Sequence, residues 1–304
     1  MFSHPALLYR GEQEFLERVG TFVRGAVAVG EPVLVAVPAP RLHALRDHLD
    51  AVDGSVTWAD MSDLGRNPGR ILSALQSFAD AHPGRHVHIV GEPVWAGRTP
   101  AEMREATRHE ALINLAFAGR TATILCPYDT SALPAYVVHD AHRTHPVLVE
   151  GRAPWASSRY ADPLQVCGDC DTPLTVPPLS AHVLAYAEGE LAGVRAYADQ
   201  WASGLGLPPA RRTDLTLAIG EAVSNSVRHG GGRGTLRLWT ISATMFAETT
   251  DSGGIGDPLT GRRRPDPVSA DGGRGVWMMH QLCDLVEIRT LPGSLVVRLS
   301  MDLD

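Results

Sequence analysis

The sequence predicts an α/β protein built from two folded domains. Its 304 residues exceed the usual size of one domain, and 44% of them are hydrophobic, which is enough for two cores. Short β-branched apolar runs alternate with helical stretches in the first half, and a proline-rich stretch without periodicity follows. These observations divide the chain into residues 1–150, a linker over 151–179, and residues 180–304.

Four short apolar runs in the first domain are predicted to be strands. Helical patterns separate or follow them, near residues 11–29, 41–50, 68–81, 99–118 and 132–143. Uninterrupted apolar runs of this length are typical of strands buried on both faces, and their alternation with helices favours a parallel order. We therefore predict a doubly wound parallel sheet. The runs are PVLVAV (32–37), SVTWA (55–59), HVHIV (86–90) and TATILC (121–126).

The linker is predicted from composition, because residues 151–179 hold five prolines and two cysteines. A helix is then predicted to begin at Ser180, since apolar residues recur at three- and four-residue spacing as far as Leu205. Such a stripe usually packs against its own domain. A seam with a second copy of the chain, which would make the protein a homodimer, stays open as the alternative.

The absence of lysine excludes several kinds of chemistry. All 27 basic residues are arginine. Walker-type phosphate loops, lysine-dependent protein kinases and Schiff-base enzymes each need a lysine. Phosphate chemistry in this chain would therefore depend on backbone amides, helix N-termini, arginine and a metal ion.

Charge and hydropathy favour a cytoplasmic protein. A net charge of −7 gives no attraction to nucleic acid or to an anionic membrane. No run of 18 apolar residues occurs, and residues 1–4 do not begin a secretory signal. Four scattered cysteines are not expected to form a disulfide framework. We expect no direct contact with nucleic acid or membrane.

Three polar or glycine-rich segments in the second domain carry chemistry. Glu221 and Asn225 stand four residues apart on a predicted helix, which places them on one face about 6 Å apart. Asp251 ends a predicted strand and opens DSGGIG, where a carboxylate can accept from an amino group and glycines let a flat ring approach. GGRGVWMM, from residue 272, places glycines before a helix whose N–H groups and dipole favour an anion.

In this order and spacing, the segments resemble the ATP-binding fold shared by gyrase B, Hsp90, histidine kinases and MutL. That resemblance covers residues 180–304 and implies an α/β sandwich with a mixed sheet. The E-x-x-x-N helix matches the N box of this fold, and the two glycine segments match its glycine boxes. LPGSLVV (291–297) resembles its last box, with Ser294 where threonine is usual. LTLAIGEAVSNSVRHG and GRGVWMMHQLCD look most like anti-sigma-factor serine kinases.

The resemblance implies a role for each matching residue. Asn225 would hold Mg²⁺ against the phosphates of ATP, and Glu221 would be the catalytic base for the attacking hydroxyl. Asp251 would bind the adenine amino group, with Gly253 letting the ring approach. Residues 257–272 would form a lid over the nucleotide. The other cofactor-binding residues would be Gly273, Arg274, Gly275 and Ser294.

The resemblance implies an anti-sigma factor that is also an ATP-dependent serine/threonine protein kinase. By resemblance, it would regulate transcription by switching between a sigma factor and an anti-anti-sigma partner. Two alternatives stay open, a partner-switch protein that binds ATP without transfer and an atypical sensor histidine kinase acting in trans. The residues DSGGIG are closer to the first glycine box of histidine kinases, but the sequence has no H-E/D-x-x-x-P phosphoacceptor segment.

The first domain resembles the sensory domain named after methanogen and methylotroph regulators, over about residues 1–150. The resemblance implies a small organic ligand. Open parallel sheets bind ligands beyond the carboxyl ends of their strands, and several polar and aromatic residues fall there. Trp95 and Tyr128 are also compatible with a purely structural role. The candidate sensing residues are Glu92, Trp95, Cys126 and Tyr128, and the matching stretches are HPALL (4–8), RGE (10–12), GEPVW (91–95), EALIN (110–114), LCPYD (125–129) and AHRTHP (141–146).

Two further patterns have no predicted role. His139, His142 and His145 recur every third residue, a spacing that drifts around a helix and so disfavours a shared metal ion. Cys167 and Cys170 form a single C-x-x-C, which lacks the other ligands of a zinc site.

Overall fold

The chain folds into two compact units, Met1–Cys170 and Asp171–Asp304. The computed structural model describes residues 1–151, 153–265 and 273–303. Within this part of the chain, every helix is too short or too polar to cross a bilayer.

The first unit is built on a seven-stranded sheet in the order β3-β2-β4-β5-β1-β6-β7. All its neighbours are parallel except β6 and β7, which are antiparallel at one edge. The predicted parallel sheet is therefore confirmed. The strands are β1 (Pro5–Tyr9), β2 (Val33–Val37), β3 (Val56–Asp60), β4 (Val87–Gly91), β5 (Ala122–Asp129), β6 (Val147–Glu150) and β7 (Ala153–Ala156).

Helices cover both faces of this sheet. Leu125 of β5 packs in the same apolar cluster as Phe15 and Val19 of α1. The next residue, Cys126, points to the opposite face and meets Glu110 of α5. The helices are α1 (Gly11–Ala28), α2 (Ala39–His48), α3 (Met61–Leu64), α4 (Pro68–Asp80), α5 (Pro100–Ala116), α6 (Ala135–Thr144) and α7 (Pro163–Asp169).

The segment predicted to be a linker contains regular structure. β7 pairs with β6, and α7 packs on α5, so residues 153–169 belong to the first unit. Two features explain why the sequence did not predict β7 and α7. Pro163 occupies the first turn of α7, where proline is tolerated, and β7 is a short exposed edge strand.

The second unit is built on a five-stranded sheet in the order β11-β12-β10-β9-β8. Each described pair of neighbours is antiparallel, where a mixed sheet was predicted. Side chains of α8, α9 and α10 share one apolar core with one face of the sheet. The elements are β8 (His182–Ala187), α8 (Leu191–Gly204), α9 (Pro209–His229), β9 (Arg233–Ile241), β10 (Thr244–Asp251), α10 (Arg274–Leu282), β11 (Leu285–Leu291) and β12 (Ser294–Asp302).

The helix predicted from Ser180 is wrong in its first part. Residues 182–187 form β8, which pairs with β9, and the helix begins only at Leu191. Gly189, with φ of 88°, turns the chain between the two elements. The apolar residues at helical spacing therefore extend over a strand, a turn and a helix. Pairing with β9 makes the first of these segments a strand despite its helical spacing.

A charged pair is buried on the face of the second sheet that points away from the apolar core. Arg298 and Glu248 are 5% and 4% exposed, and Arg298 Nε donates to Glu248 Oε2 at 3.0 Å. Arg298 Nη2 also donates to the backbone oxygen of Thr175 at 2.6 Å. The proline-rich stretch after the first unit is thus bonded to this face of the sheet.

We predict that Arg298→Ala destabilises the second unit by about 3–5 kcal/mol, because it leaves the Glu248 carboxylate buried without the guanidinium that donates hydrogen bonds to it. Arg237→Ala is the matched control. It removes an arginine whose Nη1 lies 3.6 Å from the same carboxylate, but whose side chain is 35% exposed. That loss should be below about 1 kcal/mol. Hydrogen exchange of β10 and β12 peptides in the full chain measures both, and equal losses would contradict the assignment.

Candidate functional site

A cavity of about 330 Å³ opens in the second unit between α9, α10 and the sheet. Its volume is within the range of small-molecule sites. The polar lining comes from α9, the end of β10 and the segment after it, and the apolar lining mostly from α10 and β12. The polar side chains are Asn225, Ser226, His229, Asp251 and Thr260, and the apolar ones are Ala222, Ile255, Val276, Met279, Leu295 and Val297.

The start of α10 lies directly against α9. A Cβ atom on Gly275 would lie 2.6 Å from Glu221 Oε2 and 3.2 Å from Asn225 Nδ2. Only a residue without a side chain leaves these two groups undisturbed. Gly273, with φ of 106°, adopts a left-handed conformation immediately before the helix. The first turn of a helix presents N–H groups without intrahelical partners, so α10 offers an anion site beside Asn225.

Asp251 lies where β10 ends beside the C-terminus of α9. Its Oδ1 accepts a hydrogen bond from the N–H of Gly253 at 2.7 Å. A Cβ atom on Gly230 would lie 2.4 Å from the same oxygen, and one on Gly253 would lie 2.9 Å from it. Two glycines therefore make room for this carboxylate, which lines the cavity.

The structure brings most of the predicted nucleotide-site residues together. Asn225, Asp251 and Gly273 line the cavity. Glu221 and Gly275 lie beside Asn225, and Gly253 supports Asp251.

Two predicted site residues, Arg274 and Ser294, and the predicted lid are not part of this group. Arg274 is exposed at the start of α10. Ser294 begins β12 at a hairpin, and the next residues, Leu295 and Val297, line the cavity instead. Of the predicted lid, residues 266–272 lie outside the described residues. Within the described part, Arg262 is buried while Arg263 and Arg264 are exposed.

Sequence reasoning missed two polar residues of α9 that line the cavity, Ser226 and His229. Ala222, Asn225, Ser226 and His229 follow the i, i+3, i+4, i+7 pattern of one helical face, so the signal was present. Ser226 Oγ also accepts a hydrogen bond from Tyr186 OH at 2.9 Å. Burial raises the pKa of Tyr186 to about 12, so this phenol keeps its hydrogen and positions Ser226.

In the first unit, the predicted sensing residues do not share one site. Glu92 is fully buried on the α1 side, where it pairs with Arg41 and accepts from Tyr9 OH at 3.4 Å. Arg41 also donates to Asp129 Oδ2 at 3.1 Å. Trp95 lies in the loop after β4, where the guanidinium of Arg98 is 3.5 Å from its ring centre.

Cys126 and Tyr128 lie on the opposite face of the sheet, against Glu110. Tyr128 OH donates to Glu110 Oε1 at 3.1 Å, and Cys126 Sγ lies 3.3 Å from Glu110 Oε2. Burial, followed by the charge of Glu110, raises the pKa of both the Cys126 thiol and the Tyr128 phenol well above their usual values. Strand alternation separates these residues from Glu92.

The three histidines spaced by three residues also separate. His145 is fully buried and faces Glu110 Oε2 at 3.5 Å. His139 is exposed and lies 2.9 Å from Arg159 Nη1, while His142 is partly exposed. Cys167 and Cys170 are both buried at α7 and are not joined in a disulfide.

Comparisons with known proteins identify both halves of the chain. Residues 3–146 match the family described as MEDS, the methanogen/methylotroph, DcmR sensory domain. Residues 184–301 match the histidine kinase-like ATPase domain family. Both resemblances seen in the motifs are thereby confirmed. None of the curated proteins matches the chain.

Two solved structures show a distant likeness. The RsbU and RsbW domains of Rv1364c from Mycobacterium tuberculosis are 18% identical, with a TM-score of 0.30, over 40% of this chain and 32% of that one. The ATPase domain of G40P is 10% identical, with a TM-score of 0.32, over 48% of this chain and 67% of that one. The match thus spans about a third of the first of these structures. Likeness at this level carries no argument about function.

We predict that Asp251→Asn weakens binding of ATP and ADP alike, by about tenfold or more. The amide oxygen would stay with the Gly253 N–H, so the amide NH₂ would face the amino group of adenine as donor against donor. Asp199→Asn, on the half-exposed carboxylate of α8, is the control and should bind normally. Calorimetry on the full chain measures each affinity. Unchanged affinity in Asp251→Asn would remove this residue from the site.

Proposed function

We propose that this chain, which carries a MEDS domain followed by a histidine kinase-like ATPase domain, is a sensor-coupled anti-sigma factor and ATP-dependent serine/threonine protein kinase. One observation carries the kinase assignment. Glu221 and Asn225 project from one face of α9 against the backbone of Gly275, so a carboxylate, an amide and a helix N-terminus converge. A base, a metal ligand and a phosphate site are what phosphoryl transfer to a hydroxyl requires.

The residues of the cavity suit ATP with Mg²⁺. Asp251 offers a fixed carboxylate to an amino group, and Ile255, Met279 and Val297 offer apolar surface to a flat ring. The Asn225 amide oxygen is a ligand type that Mg²⁺ accepts. Space left by Gly275 keeps the first turn of α10 close to Asn225, where its dipole favours phosphate.

Bound ATP with Mg²⁺ would supply the phosphoryl group and neutralise the charge that develops on it. Glu221 would accept the proton of the attacking hydroxyl, a contribution of about 10²–10⁴ in rate. Asn225 would hold the metal one helical turn from that carboxylate, so the two functions would share one rigid element. Because the chain has no lysine, backbone amides and arginine would have to take its place at the phosphates.

The partners follow from the motif resemblance of α9 and α10 to anti-sigma-factor serine kinases. The second unit would hold a sigma factor in one state and phosphorylate a serine or threonine of an anti-anti-sigma protein in the other. The MEDS domain would bias this choice when it binds a small molecule. A pull-down with the full chain, followed by mass spectrometry, tests both partners.

We predict that Glu221→Gln lowers the rate of phosphoryl transfer by about 10²-fold or more, roughly 2.7 kcal/mol in the barrier. Glutamine keeps the shape of the side chain but cannot take the proton, so ATP affinity and melting temperature should change little. Glu188→Gln, on an exposed glutamate of the same unit, is the matched control. Transfer at the wild-type rate in Glu221→Gln would refute the assignment of the base.

The phosphorylated product separates the kinase from its alternatives. Phosphoserine or phosphothreonine survives acid, whereas phosphohistidine does not. Acid-stable label on the partner supports the proposal. Acid-labile label would indicate a histidine kinase, and nucleotide binding without any label would indicate a non-enzymatic partner switch, so either result would overturn it.

A further inference from the structure

Four side chains with metal-ligating atoms lie together inside the first unit. They are far apart in the sequence, so no local motif predicts that they meet. They are His4 before β1, Glu110 of α5, Cys126 of β5 and His145 after α6, and all are buried. Their ligand atoms lie within 4.8 Å of one another. Glu110 Oε2 is at the centre, 3.2 Å from His4 Nε2, 3.3 Å from Cys126 Sγ and 3.5 Å from His145 Nε2.

Hydrogen bonds determine which imidazole nitrogens donate. Asn114 Nδ2 donates to Thr144 O at 2.8 Å, so Asn114 Oδ1 faces His4 Nδ1, at 3.1 Å, as an acceptor. His145 Nδ1 lies 3.0 Å from the backbone oxygen of Ala141, which can only accept. Both Nδ1 atoms are therefore donors. In neutral rings, the two Nε2 atoms then present lone pairs to the cluster.

Lone pairs consequently face one another in a site closed to water. The Glu110 carboxylate accepts only, and among the described residues no donor is bonded to His145 Nε2. Among the four ligand atoms, the Cys126 thiol alone has a hydrogen to share. Buried acceptors without a donor cost about 1–3 kcal/mol each, so the arrangement calls for a cation at its centre.

We propose that four side chains form a tetrahedral binding site for a divalent transition-metal ion such as zinc. They are His4, Glu110, Cys126 and His145. Metal–ligand bonds of about 2.0–2.3 Å place tetrahedral ligands about 3.3–3.6 Å apart. The three separations from Glu110 Oε2 are 3.2, 3.3 and 3.5 Å, and Cys126 Sγ lies 3.4 Å from His4 Nε2. One sulfur, two nitrogens and one oxygen suit zinc or cobalt better than magnesium or calcium.

The charges of this site balance. The thiol proton leaves to solvent as the metal–sulfur bond forms, so a thiolate and a carboxylate oppose the two positive charges of the ion. The two imidazoles stay neutral. A buried site with no net charge avoids the desolvation cost that an unpaired ion would bring.

Surrounding residues hold the ligands in place. Asn114 and the Ala141 carbonyl orient the two imidazoles, and Tyr128 OH donates to the second carboxylate oxygen of Glu110. Since the protein supplies all four ligands, no coordination position is left for a reactant. The ion would therefore stabilise the first unit, independently of the proposed kinase site in the second.

The experiment uses the full chain after treatment with a chelator, titrated with Zn²⁺ or Co²⁺. We expect one ion per chain and, with Co²⁺, a thiolate-to-cobalt charge-transfer band together with tetrahedral d–d bands. Zn²⁺ at about a hundredfold excess over Kd should raise the melting temperature of the first unit by about 5–10 °C. Cys126→Ser should lose the charge-transfer band. Cys167→Ser, on a buried thiol of the same unit outside the cluster, should keep it.

Glu110→Gln keeps the proposal testable if the serine variant fails to fold. Its amide can donate a hydrogen to an imidazole Nε2, so the metal-free protein should remain folded while its affinity for Zn²⁺ falls by about 10–100-fold. Three results would overturn the site. They are no stoichiometric binding by the wild-type chain, wild-type affinity in Glu110→Gln, or a cobalt band that survives Cys126→Ser and disappears in Cys167→Ser.

Discussion

The close approach of α10 to α9 is the constraint on which the second unit depends. At Gly275, the missing side chain leaves 2.6 Å between an ideal Cβ position and Glu221 Oε2, so any other residue would displace that carboxylate or separate the helices. The same approach brings Asn225 next to the first turn of α10. Gly230 and Gly253 do the equivalent for Asp251 at the other end of the cavity. The polar side chains of this site are therefore positioned by glycines, which contribute no side-chain group themselves.

Patterns confined to one element were predictable from the sequence. The E-x-x-x-N pair, the strand-end aspartate and the glycines before α10 each depend on local spacing, and the structure places them around one cavity. Four of the six parallel strands of the first unit, β2 to β5, were predicted because each contains a short apolar run, whereas β1 and β6 were not predicted. Residues 182–187 were not predicted to be a strand, because their apolar spacing fits a helix and only pairing with β9 makes them a strand.

Contacts between side chains that are far apart in the sequence could not be predicted from it. Glu92 and Cys126 were both predicted at strand ends, which suggested a single pocket. Cys126 instead lies within β5, and strand alternation sends the two side chains to opposite faces of the sheet. His145 belonged to a visible run of histidines, yet its neighbours in space are His4 and Glu110, far away in the chain. Such clusters depend on the register of several elements at once, and no periodicity within one element reports it.

In a chain without lysine, arginine is the side chain that carries a permanent positive charge, and the buried arginines show the consequence. Guanidinium groups carry five donors, so each buried one needs several acceptors at fixed angles. Arg298 finds them in Glu248 and Thr175 O, and Arg98 finds the backbone oxygens of Pro93 and Gly65. Burial still lowers the pKa of Arg98 to about 10, which leaves it charged. Because this group stays cationic and geometrically demanding, it suits permanent structural contacts. In the proposed phosphoryl transfer, the changing charge at the phosphate would then be left to backbone amides, a helix N-terminus and a bound metal ion. The amides and the helix N-terminus lie where α10 meets α9.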